Sequence, residues 1–248
     1  MDCLAGLRVK IFADGADFDG IMRMYADPLV RGFTTNPTLM RKAGISDYEA
    51  FARRVLAAVP DRPVSLEVFA DDLAEMVEQA RAIASWGRNV NVKIPVMNTR
   101  REFTGSAIET LSNEGVTVNV TAVMTLDQVR EVAACLAPAT PAIVSVFAGR
   151  IADTGRDPVP HMAEAVNILR ERPEAELIWA SPRELLNIFQ ADAVGCHIIT
   201  VTNDVLAKLS LVGKDLDVYS LETVEMFYRD AAAAGYSIAT PSASARVA

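Results

Sequence analysis

Eight short apolar runs, rich in β-branched residues, recur along the chain and constrain its fold more than any other feature. They are Val9–Ala13, Gly32–Thr35, Val64–Phe69, Val90–Val96, Thr117–Val123, Ala142–Phe147, Glu176–Ala180 and His197–Thr202. Dividing 248 residues by eight gives about 31 residues per run, the length of one strand–helix unit. Segments of helical periodicity lie between runs, among them Asp71–Trp86, Arg100–Asn113, Leu126–Leu136 and His161–Arg172. Apolar strands alternating with amphipathic helices predict a parallel sheet covered by helices.

Eight such units without a long linker favour a closed barrel over an open sheet. We therefore predict an α/β fold, a single-domain (β/α)8 TIM barrel over residues 1–248. An additional C-terminal helix is expected at Ser220–Ala234, followed by a flexible tail at residues 237–248. Thr125 with Gln128 forms the pattern of a capping box, and Pro182 predicts a helix that begins just after Ser181.

The composition argues against several classes of function. The formal net charge is −8 and no basic block is present, so we do not expect nucleic-acid binding. The three cysteines and two histidines show no paired spacing, which argues against a disulfide framework and a metal site. Without a signal-peptide pattern or an apolar run of membrane-spanning length, we expect a soluble cytoplasmic protein with no membrane association.

Polar side chains stand at the C-terminal ends of at least seven runs, which is where barrels of this kind place their chemistry. Lys93 is the only one of five lysines in the middle of an apolar run. Desolvation of an ammonium there favours the neutral amine, which can attack a ketone to form a Schiff base. The alternative is a structural ion pair with Asp14 or Glu67, and spacing alone does not separate the two.

The remaining polar residues each have a chemical and a structural interpretation. The carboxylates of Asp14 and Glu67 suit a base and a water-holding group, although Asp14 also suits a helix cap. Arg150 and Arg183 suit an anion site, or alternatively ion pairs at the rim with Asp153 or Glu184. Four further residues can bind substrate hydroxyls or act as turn and capping residues: Asn36, Asn119, Thr121 and Ser145.

Taken together, these residues resemble the transaldolase family, which includes the fructose-6-phosphate aldolases, from about Val9 to about Asp204. The motifs that carry the resemblance are Phe12-Ala13-Asp14-Gly15, Gly32-Phe33-Thr34-Thr35-Asn36-Pro37-Thr38, Glu67, Val92-Lys93-Ile94-Pro95, Asn119-Val120-Thr121, Ser145-Val146-Phe147-Ala148-Gly149-Arg150 and Ala180-Ser181-Pro182-Arg183. Each is weak alone, but their order, with one motif per strand, is specific.

The resemblance implies a role for each matching residue. Lys93 would form the Schiff base, and Asp14 would take the proton of the C4 hydroxyl as the C3–C4 bond breaks. Glu67 with Thr121 would hold the water of imine formation and hydrolysis. The substrate-binding set would be Asn36, Asn119 and Ser145 for the dihydroxyacetone unit, Arg150, Ser181 and Arg183 for the phosphate, and also Thr34 and Phe147. No metal or organic cofactor is implied, because the iminium itself accepts the electron pair.

The activity implied is transfer of a dihydroxyacetone unit from a ketose phosphate, such as fructose 6-phosphate or sedoheptulose 7-phosphate, to an aldose phosphate. This belongs to carbohydrate metabolism of the pentose phosphate type, and we expect a homo-oligomer. Fructose-6-phosphate aldolases usually carry glutamine at Glu67 and tyrosine at Phe147, so both residues favour transfer over release. Three alternatives stay open: an aldolase that releases dihydroxyacetone, a specialised transaldolase whose segments Asn98–Gly105 and Asp153–Pro160 serve an unusual acceptor, and a silent sugar-phosphate-binding barrel.

Overall fold

The computed structural model describes Leu4 and residues 6–238, and its centre is a closed barrel of eight parallel strands. The strands are β1 (Lys10–Asp14), β2 (Val30–Thr34), β3 (Val64–Glu67), β4 (Val90–Pro95), β5 (Val118–Val123), β6 (Ala142–Val146), β7 (Ala175–Trp179) and β8 (Ile198–Thr202). Each strand lies within two residues of its predicted bounds, and β1 pairs with β8 to close the barrel. The predicted (β/α)8 barrel fold is therefore confirmed.

Helices follow the strands and cover the outside of the barrel. They are α1 (Phe18–Tyr25), α2 (Pro37–Lys42), α3 (Tyr48–Ala58), α4 (Leu73–Ala84), α5 (Gly105–Asn113), α6 (Leu126–Cys135), α7 (Ala148–Asp153), α8 (Pro158–Leu169), α9 (Leu186–Val194) and α10 (Asn203–Leu206). The capping box predicted at the start of α6 is confirmed, because Gln128 N donates to Thr125 Oγ1 at 3.2 Å and Thr125 N donates to Gln128 Oε1 at 3.0 Å.

Two predicted helix starts are wrong. The helix expected from Arg100 begins only at Gly105, because Met97 and Phe103 form an antiparallel bridge across a tight turn. Asn98 holds this turn together, since its Oδ1 accepts from the backbone N–H groups of residues 100 and 102 at 3.0 and 2.9 Å.

The helix predicted just after Ser181 begins only at Leu186. Ser181 adopts a left-handed φ of 60°, which turns the chain away from helical geometry. The Asn187 side chain stabilises the loop before α9, because its Oδ1 accepts from Arg183 N at 2.8 Å. The preference of proline for the first position of a helix does not predict a loop whose conformation is set by tertiary contacts.

A layer of apolar side chains separates the cavity at the C-terminal end of the barrel from one at its N-terminal end. The Phe12 ring fills the interior together with Ile143, Ile178 and Ile198. Glycine at position 32 leaves room for this ring, because a Cβ there would lie 2.6 Å from it and would require the ring to move. The polar inward-facing residues lie on the C-terminal side of this apolar layer, and a second cavity of about 870 Å³ lies on its N-terminal side.

The chain divides into two units, the barrel up to Leu209 and a second unit that begins at Ser210. A 3-10 helix spans Ala207–Leu211, and the second unit contains α11 (Leu216–Ala233), which confirms the predicted C-terminal helix. None of the residues of α11 is buried. The single domain predicted for 1–248 stays a prediction, and most of the predicted tail, residues 239–248, lies outside the described residues. Within the described part, no helix has both the length and the apolar character needed to cross a membrane.

Candidate functional site

A cavity of about 660 Å³ opens at the C-terminal ends of the strands. All twelve residues that the sequence singled out line it: Asp14, Thr34, Asn36, Glu67, Lys93, Asn119, Thr121, Ser145, Phe147, Arg150, Ser181 and Arg183. Their convergence follows from the parallel barrel, since inward-facing residues near the ends of all strands meet at one mouth. Their chemical roles remain predictions.

Lys93 is buried in this cavity and makes two short polar contacts. Its Nζ lies 2.9 Å from Glu67 Oε2 and donates to the backbone carbonyl of Thr35 at 2.8 Å. Glu67 stands opposite Lys93 because β3 and β4 pair with these two residues in register. The ion pair considered from the sequence is thus present, and it also keeps a proton acceptor beside the only lysine of the cavity.

Asp14 lies at the end of β1 and is oriented by a threonine of β2. Thr34 Oγ1 donates to Asp14 Oδ1 at 2.8 Å and also lies 2.5 Å from Thr200 Oγ1. Burial raises the pKa of Asp14 above its usual value, and the Lys93 charge and the Thr34 hydrogen bond offset only part of that rise. A carboxyl group in this state can hold a proton more readily than an exposed aspartate.

Asn119 and Ser145 form one hydrogen-bonded unit with Ser65. Ser145 Oγ donates to Asn119 Oδ1 at 2.7 Å, and Asn119 Nδ2 donates to Ser65 Oγ at 3.1 Å. This fixes the orientation of the Asn119 amide and leaves one of its two N–H groups for a ligand. Since the Ser145 proton is already used, Ser145 can offer a ligand only its oxygen.

Asn36 caps α2, which was the structural alternative for this residue. Its Oδ1 accepts from Leu39 N at 3.0 Å, and Pro37 occupies the first helical position. The same contact fixes the orientation of the Asn36 side-chain amide. Its Nδ2 has no hydrogen-bond partner among the described residues, and Asn36 lines the cavity. Capping and ligand binding are therefore compatible here.

The two arginines of the mouth differ in their pairing. Arg183 forms a bidentate pair with Asp153, its Nε donating to Oδ1 at 2.9 Å and its NH2 to Oδ2. This is the rim ion pair considered from the sequence, and it lowers the pKa of Asp153. Arg150 is exposed and lies over the Phe147 ring, and within the described part of the chain it forms no salt bridge, although its charge also lowers the pKa of Asp153. Its guanidinium hydrogen-bond donors can therefore bind an anion.

A close backbone contact joins the loops that carry these arginines. Gly149 N donates to the carbonyl of Ala180 at 3.3 Å, and a Cβ on Gly149 would lie 1.5 Å from the carbonyl oxygen of Ser181. Only glycine permits this approach. The contact holds the start of α7 against the left-handed turn at Ser181, so that both arginines face one mouth.

Sequence reasoning missed Thr200 and Ser65, although a signal for both was present. Strand residues two apart face the same side, so Ser65 shares the inward face of Glu67, and Thr200 that of Thr202. The prediction considered polar residues at the strand ends, whereas Ser65 and Thr200 lie one inward-facing position deeper in the barrel. Among the described residues, no group of three or more His, Cys, Asp and Glu side chains is arranged to hold a metal ion.

We expect Asp14→Asn to stabilise the fold at neutral pH. Because the native protein holds the Asp14 proton to higher pH than the unfolded chain does, the free energy of unfolding falls as pH rises through that interval. The asparagine amide does not titrate and so avoids this loss of stability. Asp14→Asn should therefore be more stable than the wild type at pH values above this interval, and the difference should vanish at acid pH. Urea unfolding of both proteins across pH measures it.

The control for this experiment is Glu171→Gln, which neutralises an exposed carboxylate in the turn after α8 and should change stability little at any pH. A loss of stability in Asp14→Asn at neutral pH, or a gain that does not depend on pH, would contradict the assignment of burial as the dominant effect on Asp14.

Known proteins with similar sequences are transaldolases by name. A family profile described as Transaldolase/Fructose-6-phosphate aldolase matches residues 11–240. A "Probable transaldolase" of Dehalococcoides mccartyi is 40% identical over 202 residues, covering 81% of this chain and 90% of that protein. A "Probable transaldolase" of Methanococcus maripaludis is 36% identical, with coverages of 81% and 89%. A "Probable transaldolase 2" of Listeria monocytogenes is also 36% identical, with coverages of 81% and 88%.

Solved structures share the architecture at low sequence identity. The carboxyl transferase domain of Rhizobium etli pyruvate carboxylase has a TM-score of 0.56 at 11% identity, covering 86% of this chain and 44% of that one. A mandelate oxidase mutant has a TM-score of 0.53 at 14% identity, with coverages of 84% and 69%. These likenesses show the barrel fold alone. The sequence matches over most of its length show that the chain belongs to the transaldolase/fructose-6-phosphate aldolase family.

Proposed function

We propose that this protein is a transaldolase that transfers a dihydroxyacetone unit between sugar phosphates through a Schiff base on Lys93. The observation that carries the proposal is the buried Lys93 amine, with Glu67 at 2.9 Å and with Asp14 in the same cavity. An amine, a proton acceptor beside it and a second carboxyl of raised pKa are the groups that a Schiff-base aldol reaction needs.

The first half of the proposed reaction breaks a C–C bond. Glu67 takes a proton from the Lys93 ammonium, and the free amine attacks the C2 carbonyl of the ketose phosphate. Loss of water from the adduct gives an iminium. Asp14 then takes the proton of the C4 hydroxyl as the C3–C4 bond breaks, the aldose phosphate leaves, and the electron pair of that bond enters the iminium to give an enamine.

The second half reverses these steps on another aldehyde. The enamine carbon attacks the carbonyl of the acceptor aldose phosphate, and Asp14 returns its proton to the oxygen that becomes the new hydroxyl. A water held by Glu67 and Thr121 then adds to the iminium, and its breakdown releases the new ketose phosphate and the Lys93 amine. Atoms and electrons balance without a metal or an organic cofactor.

The hydrogen-bonding groups of the cavity suit such a substrate. The second Nδ2 proton of Asn119 and the Nδ2 group of Asn36 can donate to substrate oxygens, and Ser145 can accept from a substrate hydroxyl. Arg150 is the cation best placed for the phosphate because Arg183 already shares its charge with Asp153. A phosphate dianion that displaces Asp153 from Arg183 would bind the Arg183 guanidinium as well.

The competing functions are separated by the fate of the dihydroxyacetone unit. We predict that purified protein converts fructose 6-phosphate and a four-carbon aldose phosphate to sedoheptulose 7-phosphate and a three-carbon aldose phosphate. Without the acceptor, release of free dihydroxyacetone should be much slower, because Glu67 and Phe147 replace the amide and hydroxyl that would favour release. Enzymatic quantification of both products over time measures the ratio, and Glu67→Gln with Phe147→Tyr should shift it toward release.

Matched lysine variants control this assay. Lys93→Met should lower transfer more than about a thousandfold, whereas Lys42→Met, at an exposed helix end, should leave it unchanged. Rapid release without acceptor would favour an aldolase, activity only with other acceptors would favour a specialised transaldolase, and binding without turnover would favour a silent barrel.

We also propose that the protein is a homo-oligomer in which α11 packs against another copy. Large apolar side chains of α11 are at least 43% exposed: Leu216, Val218, Tyr219, Leu221, Val224, Met226, Phe227 and Tyr228. Exposed apolar side chains grouped on one helix are unfavourable in water and are typical of a protein interface.

Light scattering coupled to size-exclusion chromatography tests the oligomer. We expect an assembly larger than one chain, and we expect Leu221→Glu to weaken it because a carboxylate is costly to bury in an apolar interface. Ser220→Glu, an adjacent exposed position with the same added charge, should retain the assembly. A wild-type protein that is monomeric at micromolar concentration would refute this proposal.

A further inference from the structure

A chain of two threonine hydroxyls runs from β8 through β2 to the carboxyl group of Asp14. Thr34 Oγ1 lies 2.8 Å from Asp14 Oδ1 and 2.5 Å from Thr200 Oγ1. Both threonines are buried, with 3% and 8% of their surface exposed, so water does not readily substitute for either contact. The three residues come from strands β1, β2 and β8, which are neighbours at the closure of the barrel.

The direction of these hydrogen bonds follows from counting protons. A hydroxyl carries one proton, and a carboxylate can only accept. When Asp14 is ionised, the Thr34 proton must point to Oδ1, and the Thr34 oxygen can then only accept from Thr200. Thr200 is therefore the donor that fixes the orientation of the Thr34 hydroxyl.

This orientation bears on which Asp14 oxygen is left for a substrate. Oδ1 is occupied by Thr34, whereas Oδ2 has no hydrogen-bond partner among the described residues. The contact also restrains rotation of the carboxylate. The hydrogen bond that Thr200 donates to Thr34 polarises the Thr34 hydroxyl. This strengthens the hydrogen bond from Thr34 to the Asp14 carboxylate, since hydrogen bonds in series reinforce one another.

Resting on the proposed function, we infer that Thr200 is a positioning residue for the proton-transfer step. It acts through Thr34 to keep Asp14 Oδ1 satisfied and Oδ2 directed at the C4 hydroxyl of the substrate. Thr200 need not touch the substrate for this role. It stabilises the ionised form of Asp14, which is the form that accepts the proton when the C3–C4 bond breaks.

A purely structural role would look different. In that case the two hydroxyls would only satisfy each other inside the barrel, and their loss would reduce stability without altering proton transfer. The charged side chains that share the cavity with Asp14 are Glu67, Lys93, Arg150, Arg183 and Asp204, and none of them makes a hydrogen bond to Thr34 or Thr200 in the described part of the chain.

The test compares Thr200→Val, Thr200→Ser and Thr34→Val in the full chain, with fructose 6-phosphate and a four-carbon aldose phosphate as substrates. We expect Thr200→Val to lower kcat about tenfold, the effect of one lost hydrogen bond, with KM nearly unchanged. The acidic limb of the kcat/KM profile should move to higher pH, because the Asp14 carboxylate loses support. Thr200→Ser should restore both, and Thr200→Val should add little in a Thr34→Val background.

Two controls make the outcome decisive. Ser112→Ala removes a buried hydroxyl that accepts from Ala137 N at 2.9 Å outside the cavity, and it should reduce stability while leaving the pH profile unchanged. Borohydride trapping of the imine should succeed in Thr200→Val, because imine formation does not use Asp14. A wild type that forms no imine would refute the proposed function, whereas a trapped imine together with a wild-type kcat and pH profile in Thr200→Val would overturn this inference alone. Thr200→Ala replaces Thr200→Val if the latter does not fold.

Discussion

The burial of one ammonium group is the constraint on which the rest of this structure depends. Lys93 stands in an apolar strand, where an unpaired charge would cost several kcal/mol. Glu67 Oε2 at 2.9 Å and the Thr35 carbonyl at 2.8 Å compensate it; Glu67 ends β3, and Thr35 directly follows β2. The charge is therefore tolerated only if β2, β3 and β4 pair in the observed register, so folding and the formation of the site are linked.

Around Lys93, the hydrogen bonds of Asn36, Asn119 and Ser145 each leave a defined donor or acceptor for a ligand. Asn36 caps a helix with its oxygen and retains its N–H groups, and Ser145 gives its proton to Asn119 and retains its oxygen. A buried carboxyl such as Asp14 opposes stability at neutral pH. Such a loss of folding stability is typical of catalytic sites, because they retain buried polar groups where a more stable core would have apolar ones.

The sequence predicted the barrel and the cavity lining well, because both follow from periodicity. Apolar runs located every strand to within two residues, and the barrel topology then required Lys93, Asp14 and Glu67 to face one mouth. The turn at Ser181 was beyond such reasoning, and periodicity could not choose between the Arg183–Asp153 ion pair and an anion site. The turn and the ion pair depend on a backbone contact at Gly149 between loops more than thirty residues apart, which no local pattern encodes.

The central claim, that Lys93 is a covalent nucleophile, is tested most directly by reduction of its adduct. The protein is incubated with fructose 6-phosphate, the imine is reduced with borohydride, and the peptides are mapped by mass spectrometry. We expect a secondary amine on Lys93 that carries the sugar carbon skeleton and that Lys93→Met does not form. An adduct on another lysine, or turnover of the substrate with no adduct on any lysine, would contradict it.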